Sequence, residues 1–188
     1  MHYYRRLNIA RKMTGILRHY PPESVDKSGW ISVFILIGIM KKLNPSIEEV
    51  RFIVKEDLKG RFVIDESCEP ARIRATQGHT FHLENPILKL VDSSTEIPIA
   101  IHATTKEGFE KIKECGELRS MRREYIHFAI EQKHIRSNNN ITVFLRLKLQ
   151  EAQNAGYTFM LSTNGVLLCK GPLPLVFFQE DLTALWKT

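Results

Sequence analysis

Residues 46–75, SIEEVRFIVKEDLKGRFVIDESCEPARIRA, change their hydrophobic period halfway. Ser46 followed three residues later by Glu49 is a capping box, and Ile47, Val50, Ile53 and Val54 return at helical spacing. Past Gly60 the pattern becomes short runs. Arg61-Phe62-Val63-Ile64 and Ala71-Arg72-Ile73-Arg74-Ala75 read as two strands joined by a polar turn containing Pro70. Upstream, Leu7, Ala10, Thr14 and Leu17 predict an amphipathic helix over 3–19, which Pro21-Pro22 ends with Arg18, His19 and Tyr20 in its last turn. Residues 32–42 are apolar between turn signals and read as a buried helix. Three helices followed by a hairpin predict a winged-helix-like lobe over 1–80.

Downstream the signals change character. Patterning is weak from 81 to 96, with Asn85-Pro86 and Asp92-Ser93-Ser94, so this stretch is read as a linker. Residues 97–188 carry a strand at 97–103, a short helix at 105–115, and strands at 125–130 and 141–149. A hairpin over 157–169 turns at Asn164-Gly165. Asn138-Asn139-Asn140 is read as a loop tip. The expected fold class is α+β in two lobes, the second mainly β.

Composition narrows the function classes. The 188 residues are 43% hydrophobic and 26% charged, which excludes wholesale disorder. The longest apolar run, 31–40, is about half of what a bilayer requires, and no apolar signal core follows the N-terminus. Cys68, Cys115 and Cys169 are odd in number and widely spaced, which excludes a disulfide framework and a zinc knuckle. An intracellular monomer, cytoplasmic or nuclear, with no membrane partner and no metal, is expected. The net charge of +6 is uneven: residues 1–80 hold 14 Lys and Arg against 9 Asp and Glu. A basic first lobe suits a polyanion, because Lys and Arg displace counterions condensed on phosphates.

Four short segments concentrate Arg, His and Gly: Leu17-Arg18-His19, Ile73 through His79, His102-Ala103-Thr104, and Met121 through His127. Each alone has a plain structural explanation. A basic side chain at a helix C-terminus is favoured by the helix dipole, and a strand histidine is commonly a hydrogen-bonding core residue.

Together, and in this order, they resemble the RNA 2′-phosphotransferases. That family's pattern opens with Leu-Arg-His, an Asp and a Gly-Trp, here Leu17-Arg18-His19, Asp26 and Gly29-Trp30. It continues with Lys-x-Arg-Phe, here Lys59-Gly60-Arg61-Phe62, and Ile-Arg-Ala-x-Gln-Gly-His, here 73–79 without a mismatch. The second half brings His-Gly-Thr, a Gly-Leu, Met-x-Arg-x-His-x-His and Asn-Gly-Val. Here Ala103 replaces the glycine, Glu117 interrupts Gly116 and Leu118, Tyr125 replaces the first histidine, and Asn164-Gly165-Val166 closes the series. A short stretch at 131–140 stands where relatives carry a helix.

The resemblance implies a reaction with NAD⁺ as co-substrate. The 2′-phosphate of a spliced tRNA, or of another RNA, attacks the nicotinamide ribose C1″ and nicotinamide leaves. The ribose O2″ then attacks phosphorus and releases RNA and ADP-ribose 1″,2″-cyclic phosphate. It further implies an ADP-ribosyltransferase-like second lobe. By matching positions, Arg18, His19, Arg74 and Arg123 form the catalytic tetrad, with the arginines on the phosphate and His19 as general acid. His102, Thr104, His127, Ser162, Asn164 and Gly165 fall to NAD⁺, and Arg61, Gln77 and His79 to RNA. These residue types suit a doubly charged phosphate, since guanidiniums match its oxygens in pairs and stay charged. Two competing readings share these residues. One is an ADP-ribosyltransferase acting on nucleic-acid terminal phosphates. The other is a winged-helix nucleic-acid-binding protein with weakened catalysis.

Overall fold

The computed structural model describes residues 2–92, 97–135 and 140–180. The chain divides into two compact units, Met1–Ile87 and Leu88–Thr188. The fold is mixed, with five α-helices and several antiparallel sheets among the described residues. No helix there is long and apolar enough to cross a membrane.

The first unit runs α1 (Tyr3–Arg18), β1 (Ile31–Ser32), α2 (Val33–Ile39), α3 (Ile47–Lys55), β2 (Phe62–Asp65) and β3 (Arg72–Ala75). The capping box forms as its spacing dictates. The Glu49 N–H donates to Ser46 Oγ at 3.2 Å, and the Ser46 N–H donates to the Glu49 carboxylate at 3.0 Å. That carboxylate also accepts two bonds from Arg5 on α1, which hold it near pKa 2 and tie the two helices together. The helix expected over 32–42 is shorter at both ends, because Ser32 joins Ile31 in pairing with β3 and Met40 caps the helix after Ile39. The sheet order is β1-β3-β2, all antiparallel. Its pleat sorts the Arg72-Ile73-Arg74-Ala75 strand. Ile73 and Ala75 are fully buried with Ile9, Met13, Leu17, Leu36 and Val50, while Arg72 and Arg74 point to the opposite face.

The second unit begins with β4 (Leu88–Leu90), inside the stretch read as a linker, since three residues are too few to display a period. Then follow β5 (Ile101–Thr105), α4 (Lys106–Cys115), β6 (Glu117–Leu118), β7 (Ile126–Phe128) and a 3₁₀ turn at Gln132–His134. The chain continues through β8 (Ile141–Leu147), α5 (Leu149–Asn154), β9 (Phe159–Ser162), β10 (Leu167–Cys169), β11 (Leu173–Pro174) and β12 (Phe178–Glu180). One sheet is β4-β9-β10-β7 and another is β12-β8-β5. Phe128 stacks on Phe178 and meets Phe159 edge-on, joining the two sheets through one core. The first strand of this unit's Arg/His motif starts four residues later than 97, after Pro98, which has no N–H to give a ladder. Ser93 and Ser94 of the linker signal, and Asn138 and Asn139 of the expected loop tip, lie outside the described residues.

Candidate functional site

In the first unit the sequence-selected residues gather where α1 ends. Arg18 is its last residue and His19 its C-cap. The chain after β3 straps back over this end. The Thr80 N–H donates to the Arg18 carbonyl at 2.9 Å, the Thr80 hydroxyl donates to the same oxygen at 3.2 Å, and His19 Nδ1 lies 3.4 Å from Thr80 Oγ1. Gly78 has φ +86°, and a Cβ built there would lie 3.4 Å from Arg18 Cζ and Nη1. Glycine is required here by the left-handed turn, and the strap it allows lies in contact range of the Arg18 guanidinium.

Arg74 and Arg18 are 3% and 8% exposed, unusual burial for guanidiniums. Burial lowers the pKa of Arg74, opposed by the charge of Asp26, whose side chain is half exposed. His79 is buried beside them. Desolvation first, then the charges of Arg18, Arg74 and His19, pull its pKa down to about 4. Its Nε2 and the Oε1 of Gln77 are buried without a hydrogen-bond partner among the described residues. The structure thus collects Arg18, His19, Arg74 and His79, with Gln77 on the adjoining strap. Arg61 stands apart in role: its guanidinium is paired with the buried carboxylate of Asp57, and its carbonyl accepts the Thr76 N–H.

A depressed histidine pKa carries a stability consequence. His79 in the unfolded chain titrates at its ordinary value, and in the folded chain only near 4. Its contribution is therefore complete above pH 6.5 and is lost as pH falls toward 4, by about 2–3 kcal/mol. Urea midpoints at pH 7 and pH 4.5 should differ less in His79→Phe than in the parent chain. Equal differences would show that His79 is protonated without cost.

In the second unit His102 on β5 places Nδ1 3.2 Å from the carbonyl of His127 on β7. Burial lowers the His102 pKa, so the ring is neutral, Nδ1–H donates and Nε2 is left as an acceptor. Ala103 pairs with Phe144 in an ordinary extended ladder and has no positive φ, so the methyl that replaces the family glycine imposes no backbone strain. Thr104 Oγ1 packs against Gly108 in the first turn of α4, where any side chain at Gly108 would collide with it. Ser162 Oγ donates to Asn164 Oδ1 at 2.8 Å and accepts the Val166 N–H at 3.0 Å, closing the β9–β10 turn. Gly165 has φ +80°, and a Cβ there would lie 3.4 Å from His134 Cε1 and 3.6 Å from Glu131 Oε1. His134 and Glu131 were not singled out from the sequence, since no motif marks them. Tyr125 has its pKa raised by burial and by Glu124. Arg123 sits in the turn before β7, its N–H donating to the Ser120 carbonyl.

The model of the RNA 2′-phosphotransferase, Tpt1/KptA family matches residues 4–171. A Schizosaccharomyces pombe protein named for tRNA 2′-phosphotransferase activity is 27% identical over 175 residues, 88% of this chain and 47% of that protein. A Pseudomonas fluorescens protein named for RNA 2′-phosphotransferase activity is 28% identical over 170 residues, covering 86% and 90%. The tRNA 2′-phosphotransferase of Saccharomyces cerevisiae is 25% identical over 158 residues, covering 75% and 69%. The chain thus spans about half the length of the Schizosaccharomyces relative and nearly all of the bacterial one.

Proposed function

The chain belongs to the RNA 2′-phosphotransferase, Tpt1/KptA family, and from that premise we propose that it transfers the 2′-phosphate of an RNA, such as a spliced tRNA, to NAD⁺. The observation that carries this reading is the cluster of two buried guanidiniums, Arg18 and Arg74, beside His19 and the neutral His79. Buried cations held at a desolvation cost are suited to an incoming polyvalent oxyanion. We read the first unit as a winged-helix-like RNA lobe and the second as an ADP-ribosyltransferase-like lobe for NAD⁺.

In this reading a phosphate oxygen forms a bond to ribose C1″, and the bond to nicotinamide breaks with its electron pair. Ribose O2″ then bonds to phosphorus, and the bond to the RNA 2′-oxygen breaks. That oxygen takes a proton from His19, and the O2″ proton goes to solvent. Arg18 and Arg74 neutralise the non-bridging oxygens, and Arg123 is the further phosphate ligand by its motif position. NAD⁺ is consumed as a substrate. The acceptor Nε2 of His102 fits a ribose hydroxyl, and the side-chain-free Gly165 beside His134 and Glu131 leaves room at the closing turn. Thr104, His127, Ser162 and Asn164 complete the assignment to NAD⁺, and Gln77 and His79 that to RNA.

Incubation with 2′-phosphorylated RNA and NAD⁺ should yield 2′-hydroxyl RNA, nicotinamide and ADP-ribose cyclic phosphate. ADP-ribosylated RNA without cyclic phosphate would instead identify an ADP-ribosyltransferase. Retention of the phosphate, with no NAD⁺ binding by calorimetry, would leave a nucleic-acid-binding protein. His102→Ala should raise the KM for NAD⁺ about tenfold, the scale of one lost buried hydrogen bond, with RNA affinity unchanged. Loss of RNA affinity alone would contradict the assignment of His102.

A further inference from the structure

Asp26 and Gly29-Trp30 belong to the sequence pattern, yet the reaction as described gives them no part. Their geometry supplies one. Trp30 immediately precedes β1, whose Ile31 pairs with Ile73 and whose Ser32 pairs with Arg72. One step back along the antiparallel register sets Trp30 opposite Arg74. Side chains alternate along strands, so Trp30, Arg74 and Arg72 share the sheet face that points away from the core. The guanidinium carbon of Arg74 lies 5.1 Å from the Trp30 ring centroid and that of Arg72 lies 5.4 Å from it. Arg72 is anchored by Asp65 at 2.8 Å and by Cys68 Sγ at 3.1 Å, and its guanidinium lies 4.0 Å from the Asp26 carboxylate.

The backbone that carries the ring is held on both sides. Asp26 Oδ1 accepts the N–H of Ser28 at 2.8 Å and that of Trp30 at 2.9 Å. The Asp26 N–H donates to the Trp30 carbonyl at 2.9 Å, and the Gly29 N–H donates to the Asp26 carbonyl at 3.0 Å. Gly29 turns the chain at φ +86°. The five residues form a closed loop that fixes the backbone from which the indole projects.

We propose that Trp30 is a positioning residue, fixed by the Asp26 turn, that orients the Arg74 guanidinium for the 2′-phosphate. Arg74 Nη1 donates to the Ala75 carbonyl at 3.4 Å, and an aromatic face adds a hold on the planar cation through its quadrupole that takes up none of its N–H groups. A carboxylate in that place would occupy the same N–H groups and neutralise the charge. The inference rests on the phosphotransferase reading.

The test uses the full chain with 2′-phosphorylated RNA and NAD⁺. Trp30→Leu should slow turnover about tenfold and accumulate ADP-ribosylated RNA, with the KM for NAD⁺ unchanged. Trp30→Phe, which keeps an aromatic face, should recover most of the rate. In an Arg74→Ala background Trp30→Leu should add no further loss. Should Trp30→Leu fail to fold, Asp26→Ala removes the acceptor from the loop and keeps the ring, while Asp26→Asn keeps an Oδ1 acceptor and removes only the charge that acts on Arg74; the alanine variant should show the step imbalance at smaller amplitude and the asparagine variant should not. Wild-type turnover in Trp30→Leu or Asp26→Ala, an equal imbalance in Asp26→Asn, or a further loss on the Arg74→Ala background, overturns the positioning role alone. A wild-type protein that leaves the 2′-phosphate in place overturns both readings together.

Discussion

Arg74→Ala slows overall turnover by about 10²–10³-fold, the scale for removing one preorganised charge donor from a transition state, and leaves ADP-ribosylated RNA standing in the reaction mixture. The asymmetry between steps follows from where charge is handled. In the first step the phosphate is the nucleophile, and a guanidinium that stabilises it also makes it a poorer one. In the second step phosphorus is attacked, and a guanidinium stabilises charge spread over its non-bridging oxygens. Removing Arg74 therefore penalises the second step and spares the first. A thermal midpoint separates this effect from loss of fold. Burial lowers the Arg74 pKa, so its charge is held at a cost, and removing it offsets part of the packing lost against Trp30. The thermal midpoint should stay within about 4 °C of wild type. Single-turnover assays with RNA labelled at the 2′-phosphate resolve the two steps. Wild-type turnover with no intermediate would remove Arg74 from the transition state.

Local chemistry was legible in the chain; pairing at a distance was not. Ser46 and Glu49 announce a helix start because both partners lie within four residues, and the box forms as spaced. The Arg5 side chain that completes it is 44 residues away and carries no periodic signal. The same division applies to the site. Leu17-Arg18-His19 at a helix end and Arg74 on a strand are visible as motifs. The apposition of Trp30 and Arg74 depends on a two-residue strand, β1, which cannot declare itself by alternation. Helix α5 was hidden because the alternation of β8 runs on through Leu149, and the six residues of the helix are too few to establish a helical period. Ala103 shows the limit from the other side. Sequence reading sees a glycine lost, whereas only the backbone shows that the position is ordinary strand.

Gly78→Ala tests whether the strap over α1 sets the position of Arg18. The residue lies at φ +86°, where a methyl costs about 1–2 kcal/mol in backbone strain alone. That methyl also arrives 3.4 Å from Arg18 Cζ and Nη1. That distance is ordinary contact, so the strain is in the backbone; two residues on, Thr80 donates twice to the Arg18 carbonyl, and any shift of the strap that relieves the strain at residue 78 draws on the backbone of Arg18. A misplacement approaching 1 Å in a charge donor lowers rate by up to about 10²-fold, and a smaller shift passed through the Thr80–Arg18 bonds should cost kcat a measurable part of that. The KM for NAD⁺ should not change. Gly156→Ala supplies the comparison. Gly156 has φ +92°, but a Cβ there would meet nothing within 4 Å, so its alanine variant bears the same backbone strain without touching a guanidinium. It should lose comparable stability in urea and keep full turnover. If Gly78→Ala behaves like Gly156→Ala, Gly78 is only a turn residue and Arg18 is held by other means.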